Sequence, residues 1–145
     1  MQLLLLPITT AVGPLVTPIF QLRGSPGGVE TSNMLLQANF TYGSGGTSAD
    51  AYVQTSADGG NSWGDVANFH FLLASARVLS VLTLSPSTAV APGYVPTDGT
   101  LAANTVKDGI FGSMFRVKYV TVGVYGGGTL MRIDANANGL RAMLP

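Results

Sequence analysis

Ala51-Tyr52-Val53-Gln54-Thr55 runs into Ser56-Ala57-Asp58-Gly59-Gly60-Asn61-Ser62-Trp63, and Gly64-Asp65-Val66-Ala67-Asn68-Phe69-His70 runs out of it. The central eight residues follow the pattern S-x-D-x-G-x-[ST]-W. Asp58 can accept hydrogen bonds from N–H groups of its own turn. Gly60 can adopt the positive φ that such a turn needs. Trp63 can fold back over the hairpin and bury a large area. On the incoming side Ala51, Val53 and Thr55 alternate with Tyr52, Gln54 and Ser56; on the outgoing side Trp63, Ala67 and Phe69 share a parity with Asp65. Period-two alternation on both sides of a turn predicts a β-hairpin, with Ser56, Asp58, Gly60 and Trp63 as its structural residues.

The same pattern continues outward. Leu36, Ala38, Phe40 and Tyr42 share one face, and Gln37, Asn39 and Thr41 the other. Residues 78–84 and 115–122 read as strands, and 129–135 as another after the Gly126-Gly127-Gly128 turn. Nineteen glycines and eight prolines break the chain too often for long helices. Short strands at this spacing predict an all-β chain, a single jelly-roll-like β-sandwich.

Residues 1–30 differ from residues 31–145, the expected sandwich domain. Pro7, Pro14, Pro18 and Pro26 recur through an otherwise apolar stretch. Proline is excluded from central strands, so this segment is expected as an extended N-terminal arm or an edge strand. Its apolar residues need cover. Leu3, Leu4, Leu5, Leu6, Leu15, Ile19 and Phe20 are therefore expected to bind a partner. The four leucines do not read as a secretory signal, because no basic residue precedes them and Pro7 ends the run. Residues 85–113 form a long connection. It is either functional and ordered by a partner, or a covered crossover with a short helical turn near residues 101–106.

Composition narrows the chemistry. Charged residues make up 10% of the chain, against about a quarter in typical domains. Lys and Glu are depleted at interface cores, so a low charge suits a surface covered by other chains. Seven basic residues balance seven acidic ones with no basic stripe, which argues against nucleic-acid and membrane partners. There is no cysteine and one histidine, so thiol chemistry and zinc frameworks lack their parts. His70 lies between two phenylalanines and reads as structural. Asp58, Asp65, Asp98, Asp108 and Asp134, with Glu30, are carboxylates from which an acid–base pair could be drawn. Three of these aspartates sit in Asp-Gly turns, the simpler explanation. Residues 134–139 distantly resemble a calcium loop but lack its closing glutamate. Gly123 to Gly128 has no lysine of a phosphate loop after it. No enzyme activity, metal or cofactor is expected.

The eight-residue pattern is that of the Asp-box, familiar from sialidases. Those carry several copies away from the active site; this chain has one, and is too short for a propeller. Three runs carry a second resemblance: Asn39-Phe40-Thr41-Tyr42-Gly43-Ser44-Gly45-Gly46, the hairpin itself with Val66-Ala67-Asn68-Phe69, and Phe115-Arg116-Val117-Lys118-Tyr119 before a glycine-rich turn. Over residues 36–135 the chain resembles small virion structural proteins of tailed bacteriophages. That resemblance implies a capsid decoration or cement protein with a jelly-roll-like fold. It would act in a virion assembled in the host cytoplasm, with the major capsid protein and copies of itself as partners. A head–tail neck or tail component, or a carbohydrate-binding β-sandwich module using Trp63, Tyr52 or Tyr94, are the alternatives.

Overall fold

A computed structural model describes residues 2–8, 13–21, 31–83, 93–110 and 112–139. The strands in chain order are β1 (Gln2–Pro7), β2 (Leu15–Val16), β3 (Phe20–Gln21), β4 (Thr31–Thr41), β5 (Ser44–Gly45) and β6 (Ser48–Ser56). They continue with β7 (Gly64–Phe71), β8 (Ala76–Thr83), β9 (Met114–Val122), β10 (Tyr125–Gly126) and β11 (Leu130–Gly139). No helix occurs among the described residues.

One sheet has the order β1-β11-β4-β8, the other β2-β9-β6-β7 with β3 also on β9. Every ladder is antiparallel. The pairing is nested. The first strand meets the last (β1 with β11), and β2 and β3 meet β9. Next inward β4 meets β8, and innermost β6 meets β7 through the tight hairpin. Successive nested pairs fall on alternate sheets, so most connections cross between the two layers. The chain is an all-β sandwich.

Alternation fills the space between the sheets. Met34, Leu36, Ala38 and Phe40 of β4 point inward and are buried, as are Met131, Ile133 and Ala135 of β11. Facing them are Ala49, Ala51 and Val53 of β6, Phe69 and Phe71 of β7, and Phe115 and Val117 of β9. Phe40 stacks on Phe71 with ring centroids 4.9 Å apart and meets Tyr125 edge-on at 5.9 Å. At that end of the sandwich β5 pairs with β10. The ribbon is tight: a Cβ on Gly43 would lie 2.3 Å from the carbonyl oxygens of Gly126 and Gly127, so only glycine fits.

The N-terminal segment takes the edge-strand form, and the arm reading is corrected for part of it. β1 closes the edge of the first sheet by pairing with β11. A register shift between Gln2 and Leu4 turns both Leu3 and Leu4 into the core, where they join Ile8. Leu6 and Phe20 pack against the same core. Those leucines are apolar because they complete their own sandwich, and they are not free for a partner. Leu5, Leu15 and Ile19 remain about half exposed.

The long connection is not helical in its described part. Residues 97–107 run along the outer edge of β7. Asp65 N–H donates to the Thr97 carbonyl, Asn68 N–H to that of Thr105, and Lys107 N–H to that of Val66. Ala67 and Val106 form an isolated bridge. The helical turn expected near 101–106 is instead a β-turn, with Thr105 N–H donating to Ala102 O at 3.2 Å. Asn104 at φ 53° breaks any helical continuation there.

Because β1 is core, deleting residues 1–8 should abolish the cooperative unfolding transition. Leu4→Ala should lower stability by about 2–4 kcal/mol, the range for a buried leucine. Urea denaturation followed by circular dichroism measures both, and a folded, equally stable deletion variant would contradict this placement of β1.

Candidate functional site: the hairpin end and its carboxylate network

The turn between β6 and β7 is held by its own side chains. Asp58 Oδ1 accepts from Ser62 N–H at 2.9 Å and from the Ser56 hydroxyl at 2.8 Å; Oδ2 accepts from the Ser62 hydroxyl at 2.6 Å. Ser56 Oγ in turn accepts from Gly60 N–H at 2.9 Å. Gly60 sits at φ 91°. Trp63 folds back so that its indole N–H donates to the Gly60 carbonyl at 3.0 Å. The bonds to the Ser62 hydroxyl, the Ser62 N–H and the Ser56 hydroxyl favour the charged carboxylate. They lower the Asp58 pKa from 3.8 to about 2.

Asp65, at the start of β7, is fully buried. Its carboxylate accepts from five donors: Gln54 Nε2 at 2.8 Å, Thr97 Oγ1 at 2.7 Å, and the backbone N–H groups of Gly99, Thr100 and Leu101 at 2.8 to 3.2 Å. Its own carbonyl accepts from the Tyr94 hydroxyl at 2.8 Å. A buried carboxylate needs this many donors to offset its lost hydration. The effect is to fasten residues 94–101 over the outer face of β6 and β7.

Gln54 extends the network. Its amide also donates to Asp98 Oδ1 at 2.7 Å, and its carbonyl accepts from Arg116 Nε at 2.8 Å. Lys118 donates to Asp98 Oδ1 at 2.9 Å. The bonds from Lys118 and then Gln54 hold the Asp98 carboxyl below the usual carboxylate range. The Arg116 guanidinium lies 4.3 Å from the centre of the Trp63 ring, which ties the network back to the hairpin. Beside it opens a cleft of about 230 Å³ lined by Thr55, Ala57, Ser62, Trp63, Tyr94 and Pro96, among others. The lining is mostly apolar, and its Trp and Tyr polar tips are engaged in the internal bonds above.

Ser56, Asp58, Gly60 and Trp63 thus come together in one turn, with half-exposed Ile19 near Gly60. The other residues expected to bind a partner lie elsewhere: Leu3, Leu4 and Leu6 in or against the core, Leu5 on the outer face of the first sheet, Leu15 and Phe20 on strands beside β9. His70 Nδ1 lies 2.8 Å from Asp50 Oδ1 across the β6–β7 ladder. Asp50 drew no attention in the sequence, and its value came only from register. Asp108 accepts from Thr83 N–H, and Asp134 pairs with Arg132 at 2.7 Å. Among the described residues no cluster of three or more His, Asp or Glu side chains could hold a metal ion. The sequence offers Asp65 only as one of several acid–base candidates and Gln54 only as an alternating strand residue, so their shared network was missed. The only available signal was two polar residues inside otherwise apolar strands.

Comparison with known proteins gives no family: no family model matches the chain, and neither a curated protein nor a solved structure matches it.

Asp65→Ala should cost about 3 kcal/mol, because it strands several buried donors at once. Amide exchange at Gly99, Thr100 and Leu101 should accelerate far more than in the core strands. Protection of those amides unchanged by the substitution would show that something else holds the loop.

The Asp58 pKa also sets a pH dependence. Its folded value lies below the unfolded one, so its contribution is complete above about pH 4 and is lost as pH falls through about 2. Thermal melts between pH 5 and 2 should show a steeper loss of Tm in the wild type than in Asp58→Asn. Parallel curves would contradict the assignment.

Proposed function

We propose that this chain is a virion structural protein of the tailed-phage type. Within that class we favour a capsid decoration or cement protein, working by burial against the major capsid protein and copies of itself. The observation that carries the reading is the nested strand order. We read β1·β11, β2/β3·β9, β4·β8 and β6·β7, alternating between two sheets, as a jelly roll. Viral capsid domains share that architecture with lectins and cupins. Architecture alone does not give function, so the surface has to support it.

The surface does so in two ways. Charge is sparse, at 10% of residues. Leu72, Leu73, Val122 and Val124, all half exposed or more, lie on the loops and strand end near the β5–β10 ribbon. Burying about 400 Å² of apolar surface per copy contributes about 10 kcal/mol before association costs. Repetition around a closed shell makes even a modest net contact effective, because many contacts must fail together.

A carbohydrate-binding module is the second reading, and the cleft beside Trp63 and Tyr94 is what favours it. A sugar needs an open aromatic face and free polar groups. Here Tyr52 is buried, one face of Trp63 lies against Arg116, and the Tyr94 hydroxyl is engaged by Asp65. The cleft therefore supports the sugar reading less well than the surface supports assembly.

The deciding experiment is sedimentation of assembled particles with the chain present or deleted. The expected outcome is co-sedimentation at many copies per particle, and rupture of deficient particles at lower temperature. Added salt should change this little, because few charges are involved. Equal heat resistance with and without the chain would point to a neck or tail position. Absence from particles, with retention on a glycan array, would move the assignment to the sugar module.

A further inference from the structure

A two-sheet sandwich has four sheet edges, and an open edge is a template for pairing with another chain. Three of the four edges here carry a device that blocks pairing. β1 ends in Pro7 and has a register shift between Gln2 and Leu4. The edge formed by β2 and β3 consists of two two-residue strands separated by Pro18. β7 is covered by residues 97–107 through the backbone bonds described above.

The fourth edge, β8, has none of these. It pairs with β4 over eight residues without a register shift and contains no proline. At its C-terminal end, Thr83 N–H donates to Asp108 Oδ1 and Thr83 O accepts from Gly109 N–H. Both Thr83 backbone groups therefore point away from β4. By the two-residue period, those of Val81, Leu79 and Arg77 point the same way. Among the described residues nothing pairs with the backbone of these three along that open edge. On the outward face of the sheet, Leu79 and Val81 are 52% and 51% exposed, and Leu35, opposite Val81, is 37% exposed.

We propose that β8 pairs antiparallel with β8 of a second copy, about a two-fold axis at Leu79. The choice of a second copy rests on self-complementarity. With Leu79 on the axis, Leu79 faces the partner's Leu79, and Arg77 faces the partner's Val81. The only charged side chain of the strand thus avoids its own copy, and its aliphatic stem covers a neighbouring valine. Leu35, Val81 and Leu79 of the two copies then make one continuous apolar strip across the axis. The two four-stranded sheets become one sheet of eight strands. This pairing does not rest on the virion reading.

The chain has no cysteine, which makes the register directly testable. A hydrogen-bonded antiparallel pair has Cα atoms about 5.5 Å apart, within disulfide range. Leu79→Cys in the full chain should therefore form an intermolecular disulfide under mild oxidation. In the same register the two copies of residue 81 lie about 14 Å apart, so Val81→Cys should not. Sedimentation velocity should give the wild-type chain twice the monomer mass at high concentration. Leu79→Lys should stay monomeric with its melting curve preserved, because that side chain is already half exposed. The proposal is overturned by a wild-type monomer at every concentration up to about 1 mM. It is equally overturned by dimers that survive Leu79→Lys, or by cross-linking as efficient at residue 81 as at residue 79.

Discussion

The structure turns on one buried carboxylate. Strict alternation would put Asp65 on the core face with Ala67 and Phe69, but a register shift between Val53 and Gln54 sets it opposite Gln54 on the outer face, where it is nonetheless fully buried. Its five donors come from Gln54 in the neighbouring strand and from the loop at residues 97–101. A carboxylate in that position is costly alone and favourable only when every lone pair has a donor. The requirement works in both directions. The loop satisfies Asp65, and Asp65 gives the loop's backbone N–H groups the acceptor they would otherwise lack.

Two consequences follow from that anchoring. The outer face of β6 and β7 becomes interior, which is why Gln54, Ser56 and Asn68 are buried along with the inward-facing residues. The free edge of β7 is closed by non-strand backbone, a way of capping an edge without ending the sheet. The Asp-box turn is coupled to the same layer through Trp63, Arg116 and Gln54. The hairpin, the loop and β9 therefore form one polar-bonded layer on top of an apolar sandwich. The carboxylates of Asp65 and Asp98 are engaged in holding this layer together.

The opposite end of the sandwich is built on a different constraint. There the backbone is packed so closely that side chains are excluded, as at Gly43 against Gly126 and Gly127. The exposed residues Leu72, Leu73 and Val124 belong to the connections at this end. The exposed apolar side chains at this end thus flank a closely packed glycine ribbon.

The sequence by itself determined the local structure. Alternation around Ser56–Trp63 sets the hairpin, and the same period in Leu36, Ala38 and Phe40 assigns the core face of β4. Glycine and proline spacing excludes long helices, so the all-β class was legible. These signals are local, because side chains one or two residues apart report their own strand's two faces. What only the tertiary structure decided depends on residues far apart in the chain. The nested order of strands pairs β1 with β11 across the whole length. That pairing, with one register shift, made core residues of Leu3 and Leu4, which read as part of an arm for a partner. Asp65 looked like any turn-proximal aspartate, because four of its five donors lie more than thirty residues later. Asp50 became the partner of His70 only through ladder register. A polar residue inside a strand has no meaning until its donors arrive, and only the fold brings them.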